Sequence, residues 1–281
     1  MSDRCTRLDH SIVSENGAIL SLPPFPRIVN LHVPQEDELY EQSVSQLYPL
    51  GTKLEYADGR IFRYGKAGAT STHAPIARLV GNMNLCPGAT GDPDVDGFEG
   101  DPYTAAAVGD TDVDLEKATA YAAGFFEDGM LAVFPSGHYV CYRIHDSDLG
   151  NGTYCRVYLD APLKTALAAD TGITAYRSRW SQMKQIGAEA TSYVSALGVC
   201  LASGFTADYY MWVQTRGRAI ITPTAYFGDA VNQRLVMFNP SDGTIGGADD
   251  YDPSTGHQII GYLDSRTESG YGDLLTFLTL E

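Results

Sequence analysis

Three aspartates at alternate positions, Asp92, Asp94 and Asp96, followed by Gly97, reproduce the first half of a calcium-binding loop, D-x-D-x-D-G. Alternate carboxylates of this kind can converge on one hard cation. The pattern fails where an EF-hand needs its bidentate acid, because the twelfth position is Tyr103. Pro93 also stiffens a loop that would have to curl tightly. A second run, Asp110, Asp112 and Asp114, lacks the glycine and has Tyr121 at its twelfth position. Both runs read as solvated acidic loops, with a loose cation site between subunits as the alternative. The histidines, His10, His32, His73, His138, His145 and His257, form no HxxxH or HxH and meet no cysteine at zinc spacing.

Other chemistries find as little support. No GxSxG elbow supports a serine nucleophile, and Ser136 in PSGH reads as a turn. Glu127, Asp128, Glu189 and Glu268 are available as carboxylates for glycoside hydrolysis, but nothing in their spacing selects a pair. No glycine loop with Lys-Ser/Thr opens a helix to cradle phosphate. The expectation is therefore no enzyme: no catalytic, cofactor-binding or metal-binding residue and no cofactor is assigned. Two clusters remain. Tyr209, Tyr210 and Trp212, with Tyr193, Phe205 and Tyr226 nearby, are either a carbohydrate platform, a subunit contact or sheet packing. Arg177, Arg179, Trp180 and Lys184, in YRSRWSQMK, form a basic cluster in an acidic chain. It reads as a docking patch for an acidic surface, or as a balance for local acids.

The elements that would position these residues are mostly strands. Thr52 to Lys66 places Asp58-Gly59 between two alternating runs, a hairpin signal. Pairing Tyr56 with Phe62, Leu54 with Tyr64 and Glu55 with Arg63 gives one apolar face and one complementary charge pair, so polarity selects that register over the tighter loop with Leu54 opposite Arg63. Strands are also expected in FFEDGMLAVF after Asp128-Gly129, HYVCYRIH, YCRVYLD, GVCLAS, YYMWVQTRG, AIITPTA, RLVMFNP, GHQIIGYLDSR and LLTFLTLE. HYVCYRIH carries apolar bulk at alternate positions of both phases, which predicts cover on two sides. In YYMWVQTRG, Tyr210, Trp212 and Gln214 share one face and Tyr209, Met211 and Val213 the other. Helices are expected at 35–47, at Ala74 to Val80 and, for one or two turns, at Pro162 to Ala169.

This predicts a mainly β protein, an antiparallel sandwich or barrel built from hairpins with one or two short helices. Residues 1–34, rich in proline, read as an extended arm, and 35–281 as a single body with acidic loop insertions at 87–114 and 239–257. The net charge of −16, from 35 acids against 19 bases, argues against a nucleic-acid partner. No run approaches the roughly 18 apolar residues of a membrane span, and the first 20 residues lack the apolar core of a secretory signal. Five scattered cysteines suggest free thiols in a reducing cytoplasm. Cys141 and Cys155 are the exception to test, since they face each other if their hairpin centres on Asp148.

A resemblance rests on several stretches in a fixed order. They are Tyr48-Pro-Leu-Gly-Thr52, Asp58-Gly-Arg-Ile-Phe-Arg-Tyr-Gly-Lys-Ala-Gly-Ala-Thr70, Asp128-Gly-Met-Leu-Ala-Val133 with Tyr142-Arg-Ile144, Ala161-Pro-Leu163, and Tyr210-Met-Trp-Val-Gln-Thr-Arg-Gly217. The chain resembles, over roughly residues 45–240, a group of tailed-bacteriophage virion proteins often encoded near the major capsid protein. Its members are similar to capsid decoration (cement) proteins, β-rich and commonly trimeric. The resemblance implies a protein made in the host cytoplasm and bound on the capsid exterior. Its partners would be the major capsid protein and copies of itself, with no direct nucleic acid and no membrane. It carries over no catalytic residues. The stretches 87–114 and 239–257 and the proline-rich arm depart from the shared core. A tail or fibre component, or a carbohydrate-binding or carbohydrate-active protein, is the alternative.

Overall fold

The computed structural model describes residues 11–22, 32–68, 79–82, 97–116, 121–134, 139–185, 195–202, 204–223, 234–239, 243–248, 258–265 and 274–281. In chain order its strands are β1 (Ser11–Glu15), β2 (Ala18–Leu22), β3 (Lys53–Tyr56), β4 (Ile61–Lys66), β5 (Leu79–Asn82), β6 (Gly97–Gly100), β7 (Asp112–Glu116), β8 (Met130–Val133) and β9 (Val140–Ser147). They continue with β10 (Tyr154–Leu159), β11 (Ile173–Tyr176), β12 (Met183–Gln185), β13 (Ala196–Cys200), β14 (Tyr210–Ile221), β15 (Leu235–Phe238), β16 (Ile245–Gly247), β17 (Ile259–Ser265) and β18 (Leu274–Thr279). The protein is mainly β and antiparallel, and one of its sheets curls as a half-barrel. The larger sheet runs β1-β2-β3-β4-β14-β18-β17-β15-β16, with β12, β5 and β13 branching from β14; the smaller runs β6-β11-β8-β9-β10-β7.

β14 organises the larger sheet. Its first half pairs with β4 and its second half with β18. Alternation works as the sequence predicts: Trp212 packs on Tyr48 and Tyr64, while Met211 and Val213 face the cluster of Leu50, Trp180, Met183 and Phe205. Instead of two strands over YYMWVQTRG and AIITPTA there is one, bulged between Gln214 and Arg216. Buried Gln214 bridges the irregular stretch by donating to the carbonyls of Arg216 and Arg218. The smaller sheet covers its own core of Phe98, Leu115, Phe126, Leu131, Val133 and Ile144.

Several local expectations are corrected. Residues 11–22 of the expected arm are a hairpin, turned at Asn16-Gly17 with φ of 50° and 79° and paired through β2 with β3. Leu20 and Leu22 are fully buried, and burial on that scale contributes about 1.5–3 kcal/mol per side chain, so this segment belongs to the body. The helix expected at 35–47 is a single 3-10 turn, Asp37–Tyr40. Only Leu39 of its thin apolar stripe is buried, and beyond it the Ser43 backbone exchanges hydrogen bonds with Tyr210. No helix forms at 162–169; Leu163 and Leu167 are buried on an irregular segment bridged to Ala106. The helix expected at Ala74 to Val80 lies outside the described residues except for Leu79 and Val80, which begin β5. Within the expected loops 87–114 and 239–257 lie β6, the start of β7, and β16. β9 is covered on one face only: Tyr142 and Ile144 are buried, and Cys141 is exposed.

Two registers also differ. Tyr158 pairs with Asp146 and Val157 with Ser147, so the β9–β10 hairpin centres near Asn151-Gly152. Cys155 then lies opposite Leu115, Cys141 opposite Ala132, and both thiols are free. In the β3–β4 hairpin, Leu54 faces Phe62 and Lys53 faces Arg63. The apolar face is the predicted one, but the register is two residues away. A three-residue loop, Ala57 to Gly59, fixes it: Tyr56 N–H donates to the Arg60 carbonyl, Gly59 N–H to the Tyr56 carbonyl and Ala57 N–H to Gly17 of the neighbouring hairpin. Gly59 has φ +85°, and Arg60 bonds both Asp58 and Glu36.

Candidate functional site at the seam between the sheets

The two sheets are joined at the loop Tyr48 to Thr52. Pro49 and Gly51, the latter with φ +80°, turn the chain sharply enough that Gly51 N–H reaches the Tyr64 carbonyl (2.8 Å) and the Thr52 hydroxyl reaches the Pro49 carbonyl (2.7 Å). The Leu50 N–H is taken by the other sheet: it donates to Asp128 Oδ2 at 2.7 Å. Asp128 sits in the left-handed region (φ 56°), at the turn before β8. Its Oδ1 accepts from Arg143 on β9, whose other terminal nitrogen donates to Asp160 at 2.9 Å. His145 Nδ1 lies 3.4 Å from Asp160 Oδ1, and both atoms are buried without a hydrogen bond.

This network is electrostatically loaded. Burial pushes the Asp128 carboxyl up to about 7, with Glu127 and Asp160 adding to the rise and Arg143 and the Leu50 N–H opposing it. Burial likewise raises Asp160 against the pull of Arg143 and His145. Two buried acids share one guanidinium, so a carboxylate is held at the seam with incomplete compensation.

Two adjoining cavities flank the loop, sharing Leu50 and Gly51. One, of about 460 Å³, is lined by Ile12, Ser21, Leu50 to Lys53, Arg63 and Arg143. The other, of about 500 Å³, lies between Asp128 to Met130 and Tyr176 to Trp180. The predicted basic cluster divides here. Arg177 and Arg179 line the second cavity, with Arg177 over the Phe125 ring (4.1 Å) and Arg179 over Trp180 (5.4 Å). The Trp180 indole is buried against Gly51 in the cluster that also holds Met183, and the Trp180 carbonyl and the Met183 side chain lie over Gly65. Lys184 is half-buried on β12, away from the cavity wall.

The remaining candidates are placed elsewhere. Trp212 and Phe205 are buried and Tyr210 stacks on Tyr64, so this part of the aromatic cluster is packing and not an exposed platform; Tyr193 and Tyr226 lie outside the described residues. Asp92, Asp94 and Asp96 also lie outside them. Asp114 is buried and held by both arms of Arg156 (2.7 and 2.9 Å), while Asp110 accepts the Ala107 N–H. Among the described residues no group of three or more His, Cys, Asp or Glu side chains is placed to hold a metal. One spacing not singled out above is Ser181-Gln-Met-Lys184, the Ser-x-x-Lys of some acyl-transfer enzymes. The Ser181 hydroxyl donates to the Ser178 carbonyl, and the segment runs into β12.

The seam itself was invisible as a site in the sequence, because Leu50 and Asp128 are 78 positions apart. Comparison with protein-family models, with curated proteins and with solved structures finds no match.

Proposed function

We propose that the chain is a bacteriophage virion structural protein, a capsid decoration (cement) protein that binds the outer surface of the major capsid protein lattice and stabilises the head. The observation that carries this reading is where the ordered stretches of the resemblance go. Tyr48 to Thr52 is the seam loop, and Asp58 to Lys66 supplies the turn and β4 beneath it. Asp128 to Val133 and Tyr142 to Ile144 supply the acid and the arginine that grip it. Ala161 to Leu163 leads to Lys164, whose N–H bonds the Tyr142 hydroxyl, and Tyr210 to Gly217 is the central strand. Stretches spread over more than half the chain thus supply the loop, the acid and the arginine of one join between two sheets and the strand next to it. Their shared role is to hold a β body rigid, which is what a lattice-bound stabilising protein requires.

Such a protein gains from closed rings of copies of itself on the local axes of a capsid, with the major capsid protein as its partner. The test is quantitative mass spectrometry of purified virions, with the copy number of this chain expressed against the major capsid protein. Near-stoichiometric abundance supports lattice decoration. A handful of copies moves the protein to the tail or a fibre, and absence from the particle overturns the structural reading.

A further inference from the structure

β1 is a free end of the larger sheet, and only half of its backbone is used. It pairs with β2 in an unbroken register, from Ser11 opposite Leu22 to Glu15 opposite Ala18. The two-residue turn at Asn16-Gly17, with φ of 50° and 79°, makes Glu15 and Ala18 a hydrogen-bonded pair. Alternation then turns the N–H and C=O of Ser11, Val13 and Glu15 toward β2, and those of Ile12 and Ser14 away from it. The outward groups of Ile12 and Ser14 meet no hydrogen-bond partner among the described residues, and the Ile12 side chain beside them is 66% exposed. Every other sheet end has a cover. Ile245 N–H of β16 donates to Thr222, the Met183 carbonyl of β12 accepts from Gly68, and the Asp114 carbonyl of β7 accepts from Tyr103. The Gly97 carbonyl of β6 accepts from the Tyr121 hydroxyl, and β6 also carries two glycines and the exposed charge of Glu99. β1 has none of the devices that blunt an edge: no proline, no lysine, no bulge and, among the described residues, no covering segment.

We propose that β1 is a self-pairing edge, at which two copies of this chain join antiparallel about a two-fold axis at Val13. With Val13 opposite Val13 of the second copy, Ile12 faces Ser14 and Ser14 faces Ile12. Each facing pair exchanges two hydrogen bonds, and no outward group of either strand is left over. Val13 sits half-buried at the margin of the core of Leu20, Leu54 and Phe62. The pair brings two such margins together at the closer, non-hydrogen-bonded spacing of about 4.5 Å. The exposed Ile12 side chains meet across the diagonal. Glu15, the one charge on the strand, falls opposite Ser11, which keeps the two carboxylates about 13 Å apart. An unrelated strand would have to supply a β-branched, uncharged centre and keep its own acids off Glu15; a second copy of β1 does both. A five-residue strip buries less than the roughly 800 Å² per partner of a stable complex, so the pair is weak in dilute solution and forms where copies are held close together. The pairing does not depend on the particle: the copy-number measurement and the one below fail separately.

The test is sedimentation equilibrium of the full chain from about 10 μM to about 0.5 mM, a range that brackets a weak pair. A monomer–dimer equilibrium is expected. Ser14→Pro removes an outward N–H and no bond to β2, so it should weaken the pair about tenfold or more with little loss in melting temperature. Ile12→Lys, which puts a charge on the edge, should do the same. Val13→Cys under mild oxidation should give a disulfide between the two substituted positions, found by mass spectrometry as a peptide linked to its own copy. The inference is overturned if the chain stays monomeric throughout, which would leave the edge for a strand of another protein, or if it associates to a trimer. It is equally overturned if both edge variants associate as the parent does, or if the dimer forms without that disulfide, which would place the contact elsewhere.

Discussion

Asp128→Asn changes the charge at the seam while keeping an oxygen for the Leu50 N–H, and its effect on stability follows from the pKa. In the folded chain burial holds the carboxyl near 7, against an ordinary value of 3.8. Between those values the folded state binds the proton and the unfolded state has released it, so stability from this group falls as pH rises. The contribution is fully present below about pH 4 and is gone above about pH 7. Its full size is about 4 kcal/mol, and across the steep part it changes by about 1.4 kcal/mol per pH unit. Asparagine does not titrate, and it leaves Arg143 paired with Asp160. Urea denaturation of parent and variant at half-unit steps from pH 4.5 to 8 reads the contribution of Asp128 with its coupled neighbours Glu127 and Asp160, since the remaining carboxylates cancel in the difference. The parent should lose ground to the variant steadily from about pH 4.5 to 7, then run parallel above it. Parallel curves across the whole range, or a parent that gains on the variant as pH rises, would refute the argument that burial outweighs the Arg143 pair.

Two further outcomes test the described geometry. Cys141 is exposed, whereas burial pushes the thiols of Cys155 and Cys200 up to about 11. With a thiol reagent on the native protein at pH 8, Cys141→Ser should remove one fast-reacting equivalent and Cys155→Ser or Cys200→Ser none; loss of reactivity at both 141 and 155 would indicate a disulfide. Gly51→Ala would place a Cβ 2.9 Å from Trp180 Cδ1 on a backbone with φ +80°. Overpacking of this kind costs about 1–3 kcal/mol, with roughly 1 kcal/mol more from the left-handed backbone, and the displaced indole should shift its emission in a Trp212→Phe background. Unchanged stability and spectrum would mean that the loop does not press on Trp180.

What the sequence shows and what it hides divide along the range of the interaction. The strand periods of β8, β14 and β17 are legible because each is a local alternation or apolar run next to turn residues. The faces of β14 follow from parity alone, and Trp212 and Met211 lie on opposite sides as expected. The helix at 35–47 fails because capping and first-turn acids are also local signals, while its apolar stripe has too little to bury and Tyr210 offers its backbone to Ser43. Burial of Trp180 is hidden for the opposite reason. Arg177 and Arg179 suggest a surface, but the indole fills the space that Gly51 leaves open, and that glycine is far from it in sequence.

The β3–β4 hairpin shows how a correct local rule can still name the wrong partner. A shift of one residue exchanges the faces of a strand, so polarity excludes it; a shift of two preserves them, so polarity is silent. Complementary charge then favours Glu55 opposite Arg63, and the fold does not take it. The turn decides instead, through Asp58, Gly59, Arg60, Glu36 and the N–H of Ala57 on Gly17, and three of these contacts come from outside the two strands or from their loop alone. The consequence is a Lys53–Arg63 opposition aimed at Arg143. Local preference and global structure disagree at this one face of the hairpin, and such disagreement concentrates where a surface serves something other than folding. The apolar half of the same hairpin, where Leu54 meets Phe62 over a fully buried core, has no such conflict. On the polar side each member of the opposition carries its own compensation within the fold, Lys53 from Glu55 and Arg63 from Glu281, so the cost of the like-charge pairing is met locally.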